Sequence, residues 1–272
     1  MPIIRVNGAD LFYEEAGSGE PLLLLHGLGS SSLDWEHQLA AFKPHFRVIS
    51  LDARGSGRSR DVDHPAGPFS VKQFAADAAA VLEKLGASPA HVAGLSMGGM
   101  IAFQLAVDSP GSVRTLSIIN SGPGLVPRGF KEHYGMAVRK FVSRFFGPEV
   151  WGKILAPKLF PRPDQEAMRK QFIERMALND KKAYWASLKA LVGWSVLDRI
   201  DTIEAPTLIV HADQDYTALP VKEAYTRLMR NAQLVVVKDA RHALPIEDPE
   251  KFFPVLFDFL KRHTKRPSAV GA

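Results

Sequence analysis

A serine flanked by glycines stands where a predicted strand meets a predicted helix. The stretch Gly94-Leu95-Ser96-Met97-Gly98 follows the short apolar run 91–95 and precedes the helix-like run 97–108. A serine at such a corner presents its hydroxyl on a tight turn at the carboxyl end of a strand, where a substrate can reach it. Larger side chains two residues before and after it would collide, which favours glycine at both positions. The pattern predicts Ser96 as a nucleophile, with a small residue in an ordinary turn as the alternative.

A histidine must remove the proton of that hydroxyl, because serine is a poor nucleophile at neutral pH. Among nine histidines, His242 follows the alternating apolar run 234–237 and precedes the amphipathic segment 249–260. These neighbours predict a loop that leaves the end of a strand. His26 also ends an apolar run, but the glycines beyond it indicate a backbone role. His242 is therefore the predicted base.

The base in turn needs an acid that holds its tautomer and stabilises its protonated form. Asp213 and Asp215 both follow the apolar run 207–210, which is typical of a buried parallel strand. These residues by themselves leave both aspartates open as the acid.

The order of serine, acid and histidine along the chain resembles the α/β-hydrolase superfamily, in particular its capped serine esterases and enol-lactonase-like members. In that family the acid commonly stands three residues after a small residue that closes the strand. Ala212 is such a residue here. The resemblance therefore implies Asp215 as the acid and leaves Asp213 as a turn former.

The loop His26-Gly27-Leu28-Gly29 is similar to the family's His-Gly-x-Gly loop. In the family, the amide at the x position and the amide after the nucleophile hold the oxyanion of the tetrahedral intermediate. The resemblance therefore implies the backbone N–H groups of Leu28 and Met97 as oxyanion donors. Residues 52–59 similarly resemble a structural turn of the family.

The sequence predicts no cofactor. Gly55 and Gly57 follow an apolar run as in a dinucleotide fingerprint, but Arg60 stands where the third glycine belongs, and Pro65 and Pro68 follow instead of a helix. The chain has no Walker lysine motif and no His, Cys or carboxylate cluster with zinc spacing. We therefore expect neither a nicotinamide or flavin cofactor nor a metal.

Hydrophobic periodicity predicts an α/β fold with a mainly parallel eight-stranded sheet flanked by helices. Apolar runs predict strands at residues 3–6, 11–16, 21–26, 46–51, 91–95, 113–120, 207–210 and 234–237. Asn7-Gly8, between the first two, favours a tight type I′ hairpin. Apolar residues at helical spacing predict a helix over 70–85 that Gly86 ends.

More than eighty residues separate the sixth strand from the seventh, where a crossover needs far fewer. Helical spacing within this segment predicts a helical cap at 124–197, inserted into a catalytic core of residues 1–123 and 198–272. Because the insertion leaves the sheet at the end that carries Ser96, we expect it to cover the site. Three of its residues are candidates for the substrate pocket or, alternatively, for packing within the cap: Trp151, Trp185 and Trp194.

The chain has 272 residues, of which 46% are hydrophobic, and this length and composition suit one domain with a sizeable core.

The net charge is +5, and it is unevenly distributed. Residues 124–197 contain 14 Lys plus Arg against 6 Asp plus Glu. This excess is either a solvated cap surface or a field that attracts anionic substrates. No recognised nucleic-acid-binding motif accompanies the charge, so we expect no nucleic-acid partner.

No apolar run approaches the roughly 20 residues of a membrane span, and residues 1–5 lack a basic region followed by an apolar stretch. We therefore expect a cytoplasmic protein without a membrane partner. The absence of cysteine excludes disulfides and thiolate chemistry.

Together these features predict a serine hydrolase that cleaves carboxylic esters of small to medium size through Ser96, His242 and Asp215 and an acyl-enzyme intermediate. Its expected partner is a small-molecule ester or lactone. One alternative is a specialised hydrolase that acts on an anionic substrate, similar to 3-oxoadipate enol-lactonases or to carbon–carbon bond hydrolases. Another is a non-catalytic ligand receptor on the same fold.

Overall fold

The computed structural model describes residues 2–59, 68–127 and 129–264. Arg60 and Pro65, which argue above against a dinucleotide fingerprint, lie outside these residues, as does the end of the chain from residue 265. Within the described part, eight strands form one sheet with helices between them. The strands are β1 (Ile3–Val6), β2 (Ala9–Ala16), β3 (Pro21–Leu25), β4 (Arg47–Leu51), β5 (Ala90–Leu95), β6 (Val113–Ile119), β7 (Thr207–Ala212) and β8 (Ala232–Val237).

The sheet order is β1-β2-β4-β3-β5-β6-β7-β8. β1 pairs antiparallel with β2, β2 pairs antiparallel with β4, and every pairing from β4 through β8 is parallel. The prediction of a mainly parallel eight-stranded sheet is confirmed. Each predicted strand is present, with bounds that differ from the prediction by one or two residues at most.

The β1–β2 hairpin has the predicted two-residue turn. Asn7 and Gly8 both have positive φ, 48° and 76°, as a type I′ turn requires. Val6 pairs directly with Ala9 across the turn. The sharp reversal places β2 beside β4 and so extends the parallel sheet by an antiparallel edge.

Ten α-helices occur in the described part of the chain. They are α1 (Glu36–Phe42), α2 (Val71–Lys84), α3 (Met97–Asp108), α4 (Gly129–Phe145), α5 (Pro148–Leu159), α6 (Glu166–Ala177), α7 (Lys181–Leu191), α8 (Leu219–Thr226), α9 (Leu244–Glu247) and α10 (Pro249–His263). The predicted helix over 70–85 is α2. The Ser70 hydroxyl caps it by accepting the Gln73 N–H at 3.0 Å.

Two hydrophobic cores cover the two faces of the sheet. In β3, Leu23 and Leu25 belong to the core formed with α2 and α3, whereas Leu22 and Leu24 belong to the core formed with α1 and α10. All four leucines are buried. This explains the continuous apolar run, because a parallel strand between two helical layers has no solvent-facing side.

Helices α4 to α7 all lie between β6 and β7, within residues 124–197, which we term the helical insertion. The two ends of the insertion run side by side. The Leu125 N–H donates to the Trp194 carbonyl at 2.8 Å, and the Gly193 N–H donates to the Leu125 carbonyl at 2.9 Å. Farther along, Arg175 of α6 forms an ion pair with Asp34 at 2.9 Å. The insertion thus rests on the segment that follows β3.

A buried ion pair joins the turn after β4 to helix α2. Arg54 donates from Nε and Nη2 to the two carboxylate oxygens of Asp77, at 2.7 and 2.8 Å. Both side chains are only 2% exposed. The Asn7 side-chain amide also donates to Asp77 at 3.0 Å, which ties the β1–β2 turn to the same carboxylate. Removing one member of such a pair leaves the other charge buried and uncompensated.

We expect Arg54→Met to lower the free energy of unfolding by about 3–5 kcal/mol, because Asp77 loses its counter-charge. The double variant Arg54→Met/Asp77→Leu should recover most of that loss, since it removes both charges. Urea unfolding of the two variants and the wild type measures both effects. A double variant as unstable as the single one would contradict this account.

Candidate active site

Ser96 occupies the corner between β5 and α3 in a backbone conformation that few non-glycine residues adopt. Its φ is 54° and its ψ is −113°. The Ser96 N–H donates to the Ile119 carbonyl of β6 at 3.0 Å, so the sheet holds the residue up to the corner itself. Backbone strain that the surroundings impose in this way is a frequent feature of functional sites.

The neighbouring glycines are required by close backbone approaches. A Cβ atom at position 94 would lie 2.2 Å from the carbonyl oxygen of Gly98, and one at position 98 would lie 2.0 Å from the carbonyl oxygen of Leu25. Both distances are far shorter than a van der Waals contact. The glycines therefore allow the start of α3 to fold back on β5 and to press against the end of β3.

His242 and Asp215 come together from the loops that follow β8 and β7. Nδ1 of His242 lies 2.8 Å from Oδ1 of Asp215, whose carboxylate is fully buried. The Thr217 hydroxyl donates to the other oxygen of that carboxylate. Asp213 instead accepts the Ala240 N–H at 3.2 Å and stabilises the loop between the strands. The aspartate beside the histidine is thus residue 215.

Asn120, directly after β6, links both loops and was not among the predicted site residues. Its side-chain amide N–H groups donate to the carbonyls of Arg241 and His242, at 3.1 and 3.0 Å. Its side-chain oxygen accepts the Ala212 N–H at 2.8 Å. The only sequence signal for this role is a polar residue at the carboxyl end of a central strand.

The hydroxyl of Tyr216 lies between Ser96 and His242. It is 2.7 Å from Nε2 of His242, and the Ser96 hydroxyl is near enough to lower the pKa of the phenol against the effect of burial. The Tyr216 and His242 rings stack with centroids 4.1 Å apart. The residue is 61% exposed overall, although its hydroxyl end is enclosed. Sequence reasoning missed Tyr216, because nothing in its spacing distinguishes it from other loop residues.

The protonation states follow from these contacts. Burial alone would raise the pKa of Asp215, but the hydrogen bond and charge of His242 outweigh it and hold that pKa below its usual value. An ionised carboxylate only accepts hydrogen bonds, so Nδ1 of His242 carries a proton. Enclosure of the hydroxyl raises the pKa of Tyr216, which keeps the phenol protonated. In the neutral imidazole, Nε2 therefore accepts the Tyr216 O–H.

The two residues predicted to supply oxyanion donors, Leu28 and Met97, each adjoin a residue of the serine corner: Leu28 follows Gly27, and Met97 follows Ser96. Met97 is the first residue of α3, so its N–H has no partner within the helix. Gly27, next to Leu28, lies so close to the serine that a Cβ on it would be 3.7 Å from the Ser96 Cβ. His26 fixes this loop: its Nε2 accepts the Ala53 N–H at 3.0 Å, which leaves Nδ1 to donate to the Gly27 carbonyl at 2.7 Å.

A cavity of about 270 Å³ opens beside His242 and Tyr216. Its other lining residues come from the helical insertion, apart from Gln214: Arg139, Trp151, Leu155, Lys158 and Leu159. A second cavity, of about 390 Å³, lies between α2 and the end of α3, and its lining contains none of the site residues.

Of the three predicted pocket tryptophans, only Trp151 lines the cavity beside His242. Trp194 instead packs against the core and donates from its indole N–H to the side-chain oxygen of Gln104 at 2.7 Å. A buried indole requires such an acceptor, and Gln104 lies away from the cavity. Trp185 packs beside Lys189, whose Nζ is 5.8 Å from the ring centre. Neither Trp185 nor Trp194 lines the cavity beside His242.

Residues 22–255 match the sequence profile of the alpha/beta hydrolase family. This chain belongs to that family. A putative carbamate hydrolase, RutD, from Azorhizobium caulinodans is 31% identical over 278 residues, which covers 95% of this chain and 98% of the relative. The match spans both the sheet and the helical insertion. Family and relative together support a hydrolytic enzyme.

Solved structures of other alpha/beta hydrolases have the same fold. A thermophilic esterase from Thermogutta terrifontis superposes with a TM-score of 0.86 at 22% identity, over 97% of this chain and all of the other. The enol-lactonase from Burkholderia xenovorans LB400 superposes with a TM-score of 0.86 at 24% identity, over 96% of this chain and all of the other.

The described residues of this hydrolase were searched for membrane-spanning helices and for metal-binding clusters. No helix among them combines the length and the apolar character that a membrane span needs. No group of three or more His, Asp and Glu side chains among them is arranged to hold a metal ion.

A buried lysine lies beneath the serine. The Ser121 hydroxyl donates to the Ser96 carbonyl at 2.6 Å, and the Ser121 carbonyl accepts bonds from Tyr225 and from Nζ of Lys222. Lys222 is 2% exposed. Burial lowers the pKa of Lys222 to about 8, against the opposing charge of Asp215. The folded protein therefore binds a proton at this site less readily than the unfolded chain, where the pKa is 10.5.

We expect Lys222→Met to stabilise the hydrolase at pH 7 by about 1–3 kcal/mol, because it removes a buried charge. Between pH 8 and 10.5 the unfolded chain binds more protons at Lys222 than the folded one, so wild-type stability gains with pH. The advantage of the variant should therefore shrink at pH 10. Urea unfolding at both pH values measures it, with the exposed Lys182→Met as control. An advantage that is constant or grows with pH would refute this assignment.

Proposed function

We propose that this hydrolase cleaves carboxylic esters of small to medium size, with Ser96 as nucleophile, His242 as base and Asp215 as the acid. The observation that carries the proposal is the strained corner of Ser96 beside a histidine whose other nitrogen is bonded to a buried carboxylate. A strained serine and an oriented imidazole have little structural purpose apart from nucleophilic catalysis.

The reaction begins when Nε2 of His242 takes the proton of Ser96 as Oγ attacks the ester carbonyl carbon. The negative oxygen of the tetrahedral intermediate accepts the N–H groups of Leu28 and Met97, and Asp215 stabilises the imidazolium. His242 then gives its proton to the leaving alcohol as the carbon–oxygen bond breaks, which leaves an acyl-serine. Water attacks the acyl group in the same way, and release of the acid restores Ser96.

Tyr216 closes the site in its resting state. For His242 to accept the Ser96 proton directly, the Tyr216 hydroxyl must leave Nε2. The ring is largely exposed and lies on a loop, so this movement disrupts mainly its hydrogen bond to His242 and its stacking on that imidazole. A neutral hydrogen bond of this kind has a net value of about 0.5–1.5 kcal/mol, which is small beside an ester's binding energy.

Residues 1–123 and 198–272 act as the catalytic core, and the helical insertion at 124–197 acts as a cap that selects the substrate. This role is supported by the shared cavity, in which Arg139 and Trp151 of the insertion face His242. Arg139 and Lys158 in that cavity favour the alternative hypothesis, in which the substrate is an anionic lactone or a related anion. The substrate is a small molecule in either case.

We expect Ser96→Ala to lower kcat/KM for 4-nitrophenyl acetate by at least about 10³-fold, because no other group can form the acyl intermediate. The matched control is Ser112→Ala, a serine at the opposite end of the sheet, which should retain wild-type activity. Release of 4-nitrophenol measures both. Equal rates in wild type and Ser96→Ala would remove Ser96 as nucleophile, and no turnover of any ester by wild type would favour a ligand receptor.

Tyr216→Phe should raise kcat/KM about 2- to 10-fold, because the hydrogen bond that withholds Nε2 from the serine is removed. The control is Tyr134→Phe, an exposed tyrosine on α4 outside the cavity. The same 4-nitrophenyl acetate assay applies. A loss of activity in Tyr216→Phe would instead make the phenol a proton carrier between Ser96 and His242.

A further inference from the structure

Two of the residues that line the cavity beside His242 carry a buried N–H donor without an acceptor. Nε of Arg139 and Nε1 of Trp151 make no hydrogen bond within the part of the chain that the structure describes. The Arg139 guanidinium lies 5.4 Å from the centre of the Trp151 ring, so the two donors occupy the same wall. Buried donors without a partner are rare, and a ligand that supplies acceptors would satisfy them.

The same wall carries positive charge without a carboxylate beside it. Arg139 and Lys158 line the cavity, and no aspartate or glutamate does. Neither cation forms an ion pair with a described residue. Arg139 has one polar contact, from Nη2 to the Tyr184 hydroxyl, at the long distance of 3.5 Å. A guanidinium has five N–H donors, so most of its capacity is open to a ligand.

We propose that Arg139 and Trp151 bind a carboxylate on the substrate, so that the preferred substrates are esters that carry a free carboxylate. The inference rests on the proposed function for the position of the reacting carbonyl. Guanidinium binds carboxylate through two parallel hydrogen bonds, which matches a planar anion better than a neutral group. The indole N–H of Trp151 adds a third donor on the same wall.

The remaining walls suit a short hydrocarbon between the two ends of such a substrate. Leu155 and Leu159 line the cavity together with its polar residues and His242. A six-carbon acyl group with a terminal carboxylate fits within about 270 Å³. In this arrangement the carboxylate is held by the insertion, while the ester carbonyl reaches Ser96.

The test compares two esters that share a leaving group. Mono-4-nitrophenyl adipate carries the carboxylate, and 4-nitrophenyl hexanoate is its neutral counterpart. We expect Arg139→Gln to lower the ratio of kcat/KM values, adipate over hexanoate, by about 10- to 100-fold, as for the loss of a charge-assisted bidentate contact. Arg139→Lys should lose part of this preference, and Trp151→Phe should lower the ratio about 2- to 10-fold.

The matched control is Arg144→Gln, which removes the same charge from an exposed position on the same helix. It should change the ratio by no more than about twofold, because an exposed charge is screened by solvent and salt. A second pair, 3-acetoxybenzoate and phenyl acetate, places the carboxylate on the alcohol side. An Arg139-dependent preference in either pair supports the proposal.

Direct binding separates this inference from the proposed function. Isothermal titration calorimetry with adipate should show binding to the wild type that Arg139→Gln abolishes and Arg144→Gln retains. If the wild type hydrolyses no ester but binds adipate in this way, the carboxylate site stands and the esterase proposal fails. If neither ester pair nor adipate binding depends on Arg139, or if Arg144→Gln has the same effect, the carboxylate site is refuted.

Discussion

The structure depends on one crowded corner, where the ends of β3 and β5 meet the start of α3. Three backbone segments approach each other there so closely that only glycine fits at positions 94 and 98. Ser96 has its unusual conformation at this corner, and the Met97 N–H begins α3 directly after it. The proposed nucleophile and one of its proposed oxyanion donors thus lie at a single packing constraint.

The other half of the site depends on hydrogen bonds between loops. Asn120 bonds to both loops that carry Asp215 and His242, and the buried carboxylate then orients the imidazole. Tyr216 takes the place that a substrate-ready serine would occupy at Nε2. An exposed ring on a loop therefore lies between the proposed base and the proposed nucleophile.

The core and the helical insertion contribute different properties. The core holds Ser96, His242 and Asp215, the groups that we propose for acyl transfer. The insertion contributes the cavity wall with Arg139 and Trp151, in which Nε of Arg139 and Nε1 of Trp151 have no partner among the described residues.

Local patterns in the sequence were sufficient for the eight strands, the Asn7-Gly8 turn and the serine corner, because periodicity and turn glycines act over a few residues. The choice of residue 215 over 213 came from a family resemblance. Tertiary structure alone decided that Tyr216 separates serine from histidine and that Trp151, but not Trp194, faces the cavity. These outcomes depend on how loops and helices that are distant in sequence pack against each other. Local sequence preferences do not determine that packing.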